Sequence, residues 1–305
     1  MLSHVPVMLD QVLELLDPQP GEVYLDCTAG LGGHAGAVAE RIGPTGTVIL
    51  NDLDQTNLDR ASEAVAAVGA RVIAWQGGFA EAPRRADREG IKVDLVLGDL
   101  GFASTQIDDP ERGLSFRADG PLDMRFDSKG PITAADLVNE ADEDELARIL
   151  REYGEEKMAR RIARKLVEAR DSEPILTTAR FAEVVRTGAG PRRSHIDPAT
   201  KSFQAMRIAV NDELGQLDAL LKAVRRGADA CGWLAPHARV AILSFHSLED
   251  RSVKQAFAEL DGQGLAQRLT RKPITGSDAE IEKNRRARSA KLRAIRLTGG
   301  GSGSD

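Results

Sequence analysis

Cysteine is scarce in this chain: its 305 residues include two, Cys27 and Cys231, far apart in sequence. That excludes a disulfide framework and a thiolate zinc site, and leaves both as small core residues. The five histidines, His4, His34, His195, His237 and His246, never recur at the i, i+4 spacing of a helical zinc pair, so no protein-bound metal is expected. Long apolar runs are also missing. Residues 93–97, broken by Asp94, and 240–243 fall far short of the ~20 residues that cross a bilayer. The opening Met1-Leu-Ser-His-Val-Pro lacks the basic start and small-residue cleavage pattern of an export signal, so the expectation is a cytoplasmic protein with no membrane partner. No internal repeat is visible.

What remains is an ordinary globular composition. Lys and Arg number 41 against 47 Asp and Glu, a formal charge of −6, and 42% of residues are hydrophobic, enough for one large domain or two smaller ones. The first hundred residues alternate short β-like runs (23–27, 47–51, 71–76 and 93–97) with helical stretches (33–42, 55–68 and 83–88). An amphipathic helix carrying Met8, Leu9, Val12, Leu13 and Leu16 precedes them. Strict alternation with near-continuous apolar strands predicts an α/β fold, a parallel sheet covered by helices on both faces.

That rhythm stops after Asp99. Residues 98–129 are rich in Gly, Pro, Asp and Ser and have no period, and a loop so long usually serves function. From 132 to 186 the pattern is helical, with an acidic opening (Glu140, Asp142, Glu143, Asp144, Glu145) running into a basic stretch (Lys157, Arg160, Arg161, Arg164, Lys165). One long helix over 201–225 and a strand over 240–245 then resume the α/β pattern, with further strands at 267–271 and 291–297. The expected organisation is a sheet domain in two parts, 1–108 and 201–298, around an inserted helical domain, 109–200, with a disordered tail at 299–305.

Ligands of an open parallel sheet bind beyond the carboxyl ends of its strands. The first such end here reads Asp26-Cys-Thr-Ala-Gly30-Leu-Gly32-Gly33-His34 and opens a helix, whose free N–H groups suit an anion. The second ends at Asp52, twenty residues beyond Gly32, the spacing of an acid that takes hydrogen bonds from ribose hydroxyls. Phe79 follows the third strand after two glycines, and Asp99 ends the fourth. Each has a plainer reading: tight turns need glycine, Asp52 suits a helix N-cap, Asp26 suits ordering the loop, and Phe79 suits the core. Their recurrence at successive strand ends favours an adenosine-containing cofactor.

Two cofactors compete. For a nicotinamide dinucleotide, Tyr153-Gly-Glu-Glu-Lys157 has the Tyr-x-x-x-Lys spacing of short-chain dehydrogenases, but it lies in the helical insert and the glycine loop of those enzymes is absent. S-adenosylmethionine carries an ammonium beside its carboxylate and so wants acids near the glycine loop, which Asp26 and Asp99 supply. A third option is a noncatalytic RNA-binding protein on the same scaffold, which predicts eroded strand ends; Gly32, Asp52 and Asp99 are all in place.

The chain resembles the bacterial RsmH (MraW) family. The resemblance runs from His4-Val-Pro-Val through Gly32-Gly33-His34, Asp99-Leu-Gly, Gln106-Ile-Asp-Asp-Pro-Glu-Arg-Gly-Leu-Ser-Phe, Gly120-Pro-Leu-Asp-Met-Arg, Tyr153-Gly-Glu-Glu, Phe203-Gln-Ala-Met-Arg-Ile-Ala-Val-Asn and Ser244-Phe-His-Ser-Leu-Glu-Asp-Arg to Ser289-Ala-Lys-Leu-Arg. It departs at Phe102-Ala-Ser-Thr105, where Val-Ser-Ser-Pro is usual, at Asn284-Arg-Arg286, where Asn-Pro-Arg is usual, and at Thr28-Ala29, where Thr-Phe or Thr-Leu is commoner. The resemblance implies a class I Rossmann-like methyltransferase with a helical insert, acting on N4 of a cytosine in the decoding region of 16S rRNA within the small ribosomal subunit. It further implies S-adenosylmethionine contacts at Gly32, Gly33, His34, Asp52, Phe79, Asp99 and Gln106.

Such a reaction wants an acceptor on the amine, for which Asp99 and a backbone carbonyl of residues 98–102 are the candidates, and the position of Asp99 fits cofactor binding alone equally well. His246, at the end of the 240–245 strand, is the second catalytic candidate. Basic residues near the carboxyl end, among them Lys283, Arg285, Arg286, Arg288, Lys291, Arg293 and Arg296, occur without an intervening acid, and Arg192 and Arg193 add to them. Arg192, Arg193, Arg285, Arg286, Arg288 and Lys291 are the expected RNA contacts, with affinity falling steeply in salt. The sequence leaves a homodimer open.

Overall fold

The computed structural model describes residues 6–101, 107, 109–191, 197–228 and 232–299. Gln106, Arg192, Arg193, His195, Cys231 and the tail from 300 lie outside these described residues. Two compact units result, one from residues 1–101 with 214–305, the other from 102–213.

The first unit is built on β1 (Val23–Asp26), β2 (Thr47–Asp52), β3 (Arg71–Gln76), β4 (Val93–Asp99), β5 (Leu234–Ser244), β6 (Ala266–Arg268), β7 (Ile274–Thr275) and β8 (Lys291–Leu297). The order is β3-β2-β1-β4-β5-β8-β6, with β7 also on β8. Strands β1 to β5 run parallel and β8 joins antiparallel to β5. Strand order reverses between β1 and β4, so their carboxyl ends flank the crevice where such sheets bind ligands.

Period-two alternation sends successive strand residues to opposite faces. Tyr24, Val48, Leu50, Leu95 and Leu97 join one core with α1 (Leu9–Leu16), α2 (Gly33–Ile42) and α3 (Gln55–Ala66). Leu25, Ile49 and Val96 join the other, with α4 (Ala82–Arg88), α10 (Glu213–Gly227) and α11 (Ser247–Gly262). The same alternation gives Asp26, Asp52 and Asp99, each two residues beyond a member of the first core, the face covered by α2 and α3. The remaining helix of this unit is α12 (Asp278–Lys283).

The second unit packs α5 (Ala134–Glu140), α6 (Glu143–Glu152), α7 (Ala159–Ser172), α8 (Thr178–Ala189) and α9 (Ala199–Asn211) around Leu146, Ile162, Phe181, Phe203 and Met206. The acidic opening is the start of α6: Asp142 caps it through the Glu145 N–H, and Glu143, Asp144 and Glu145 fill its first turn, against the positive helix end. Asn211 accepts the Phe126 N–H and donates to the Met124 carbonyl, pinning the glycine-rich segment.

Three expectations change. The single helix over 201–225 is two, because Asp212 turns left-handed at φ 48° and caps α9, while Glu213 binds Arg207 through both oxygens. The expected junction at 200/201 therefore falls inside α9, and the units divide at 213/214. The strand expected at 240–245 begins at Leu234, passing through Pro236 and through His237 at φ 64°.

Candidate active site

The loop after β1 is shaped by glycine where it must be. Gly32 caps α2 at φ 80°, and a Cβ there would lie 2.7 Å from Ala61 Cα. A Cβ on Gly33 would lie 2.5 Å from the Pro6 ring. No side chain among the described residues caps α2, which leaves its first N–H groups for a ligand.

The ends of β1, β2 and β4 are tied to one another through this loop. Asp52 accepts the Gly30 N–H at 2.8 Å and the Asp54 N–H at 2.9 Å, and Asn57 approaches at 3.4 Å. The N-cap of α3 is Asp54, which takes the Thr56 N–H, so Asp52 is released from that plainer role. Burial pushes the Asp52 carboxyl above its ordinary range, against the pull of the Asp54 and Gly30 N–H groups. Asp26 is buried, accepting the Tyr24 hydroxyl at 3.0 Å and the Thr28 N–H at 3.2 Å. Burial pushes its carboxyl up to about 6, offset in part by His34, Thr28 and Tyr24. Burial also pushes the Cys27 thiol up, which keeps it inert.

Asp99 closes the arrangement. Its N–H donates to Thr28 Oγ1 at 2.8 Å, and its Oδ2 lies 3.8 Å from His34 Nδ1, while His34 Nε2 meets the Val7 carbonyl at 3.0 Å. Asp99 Oδ1 is buried and has no hydrogen-bond partner among the described residues. A carboxylate oxygen so placed wants a donor that a ligand brings.

A family model for the MraW methylase family matches residues 1–298. The chain belongs to that family. A protein of Symbiobacterium thermophilum is 44% identical over 96% of each chain. One of Syntrophotalea carbinolica is 46% identical over 96% of this chain and 98% of its own, and one of Sorangium cellulosum is 46% identical over 98% and 92%. All three are named ribosomal RNA small subunit methyltransferase H. A methylase of this family needs a methyl donor, and the residues present fit S-adenosylmethionine: helix N–H groups with no side-chain cap among the described residues for its carboxylate, and Asp52 for its ribose, with Asp99 Oδ1 beside them to accept from a further donor.

The other named residues sit as follows. Phe79 is half-buried against the Leu25–Trp75 core. His246 lies two residues beyond β5 and caps α11: its Nδ1 takes the Glu249 N–H, while Glu249 accepts the Phe245 and His246 N–H groups. Of the basic residues, Arg285 and Arg288 are exposed, and Arg286 stacks on the Phe245 ring at 5.3 Å. Lys291 pairs with Asp250 at 3.3 Å and Arg293 is buried on the same carboxylate, so the apparent basic run is only partly available to a partner. Tyr153 and Lys157 are separated by a break after α6, with Glu155 at φ 48°, so they do not form one helical face.

Sequence reasoning missed Asn51. Buried behind Asp52, its amide donates to the carbonyls of Cys27 and Gly77, both at 3.0 Å, and so joins the loops after β1 and β3. Its signal was a polar amide closing an otherwise apolar strand.

Proposed function

We propose that the protein transfers a methyl group from S-adenosylmethionine to the N4 amine of a cytosine in the decoding region of 16S rRNA, in the small ribosomal subunit and hence in the cytoplasm. The observation that carries the reading is the buried Asp99 Oδ1, without a partner among the described residues, at the β1–β4 crevice of a chain that the methylase family matches over residues 1–298. Family membership removes the hydride-transfer alternative, and intact strand ends argue against a noncatalytic scaffold.

When bound, the cofactor supplies an electrophilic methyl on a sulfonium. The chain's own contribution is alignment. Asp52 would hold the ribose while keeping Gly30 in place, the α2 N–H groups would hold the carboxylate, and Gly32 and Gly33 would allow the backbone approach. Asp99 Oδ1 accepts a hydrogen bond from the cytosine amine, which localises the lone pair that the ring otherwise withdraws. His246 we place at the rim as the group that fixes the β5–α11 turn through its cap. Gln106, Arg192 and Arg193 complete the reading on sequence grounds, with Arg285 and Arg288 as exposed phosphate contacts. Each described residue assigned to the cofactor belongs to one unit of one chain, so a homodimer is no part of the reading.

Asp99→Asn tests it. The variant should fold and bind S-adenosylhomocysteine yet lose at least about 100-fold in single-turnover rate. Single-turnover rates equal to those of the unaltered protein would refute the assignment.

A further inference from the structure

Tyr24 lies at 0% exposure in the middle of β1, where a phenylalanine would fill nearly the same volume. A phenol buried there costs free energy unless its hydroxyl is used. It is used on Asp26, itself 1% exposed, at 3.0 Å. The second Asp26 oxygen takes the Thr28 N–H, and the Thr28 hydroxyl takes the Asp99 N–H at 2.8 Å. Hydrogen bonds through Asp26 and Thr28 thus link the core of the sheet to the backbone N–H of Asp99 at the crevice.

We propose that Tyr24 is a positioning residue for cofactor binding: through Asp26 and Thr28 its hydroxyl sets the charge and the placement of the loop that presents Asp99. The inference rests on this strand edge being the S-adenosylmethionine site. Ionised Asp26 puts negative potential behind a ligand that carries a cationic amino-acid end, without touching it. Among the described residues the titratable groups facing Asp26 are Tyr24 on its own strand, Cys27 just beyond it, His34 on α2 and Asp99 on β4. Of these, Tyr24 donates to it in uncharged form, and does so to the ionised carboxylate best. With that hydroxyl removed, Asp26 holds its proton to higher pH.

The experiment is calorimetric titration of S-adenosylhomocysteine at pH steps from 5 to 7, where the probe's ammonium and carboxylate keep their charges, using the unaltered protein, Tyr24→Phe and Asp26→Asn. Thermal unfolding of each ligand-free protein is recorded alongside. Tyr24→Phe should bind within about threefold of the unaltered protein at pH 7 and about tenfold more weakly at pH 5.5, its acid limb displaced upward by about one pH unit. Asp26→Asn should bind weakly with that limb flattened, which separates Asp26 from His34. A Tyr24→Phe protein with a lower melting temperature and an unmoved acid limb makes Tyr24 structural only and overturns the inference. No binding by the unaltered protein overturns the site itself.

Discussion

Asp52 Oδ2 accepts the backbone N–H of Gly30 at 2.8 Å, so the acid that ends β2 also clamps the loop leaving β1. On the proposed reading one carboxylate then carries two duties, ordering the loop and receiving the ribose. Asp52→Ala should weaken S-adenosylhomocysteine binding by about 100-fold, ~3 kcal/mol, with helix content unchanged by circular dichroism. Calorimetric affinity within threefold of the unaltered protein would show that neither duty matters.

The glycines around α2 make an internally controlled series. Gly32→Ala forces a left-handed alanine against Ala61 and should cost at least about 1–2 kcal/mol in urea unfolding, with loss of cofactor affinity. Gly36, in the same helix, has open space where a Cβ would go, and Gly36→Ala should stabilise by about 0.5–1 kcal/mol. Equal effects of the two would contradict the geometry.

Asp26 gives a pH dependence of defined sign. Its carboxyl, ordinarily at 3.8, is raised by burial to about 6, so between these values the folded chain binds more protons than the unfolded one. Stability from this group is therefore present below about pH 4, lost as pH rises through 6, and its ionisation costs about 3 kcal/mol at neutral pH. Asp26→Asn should raise unfolding free energy at pH 7 by about 1–3 kcal/mol, a gain that disappears near pH 4, while weakening the cofactor. Denaturant midpoints across this pH range check it.

Much of this site was legible in the sequence because strand ends are where periodicity stops and chemistry begins. Gly32, Asp52 and Asp99 stand out there as glycine and acids after apolar runs. Tyr24, Thr28 and Asn51 did not, because their work is done through contacts between segments: Thr28 with Asp99, Asn51 with Gly77. The break at Asp212 was hidden for a related reason, since apolar spacing carries on across it while a single left-handed residue turns the chain. The basic run near the carboxyl end read as uniform because Asp250, the acid that engages Lys291 and Arg293, lies far away in sequence.

That pairing sorts the arginines. Arg285→Ala and Arg288→Ala, at exposed positions, should each weaken binding to small-subunit rRNA and lower the slope of log affinity against log salt by about 1. Lys291→Ala, whose ammonium faces Asp250, should change that slope by less than half as much. Filter binding between 50 and 200 mM salt reads all three, and a larger effect at Lys291 would place the RNA path elsewhere.

Methyl transfer to a cytosine amine of small-subunit rRNA is read out by isotope transfer. Small subunits lacking the modification are incubated with the protein and S-adenosylmethionine labelled in its methyl group, and the 16S rRNA is then digested and its nucleosides resolved by mass spectrometry. Label should appear in N4-methylated cytidine from a single decoding-region position and be abolished by Asp99→Asn. Label on a ring carbon, on a ribose oxygen or on another RNA, or no label at all, would contradict it.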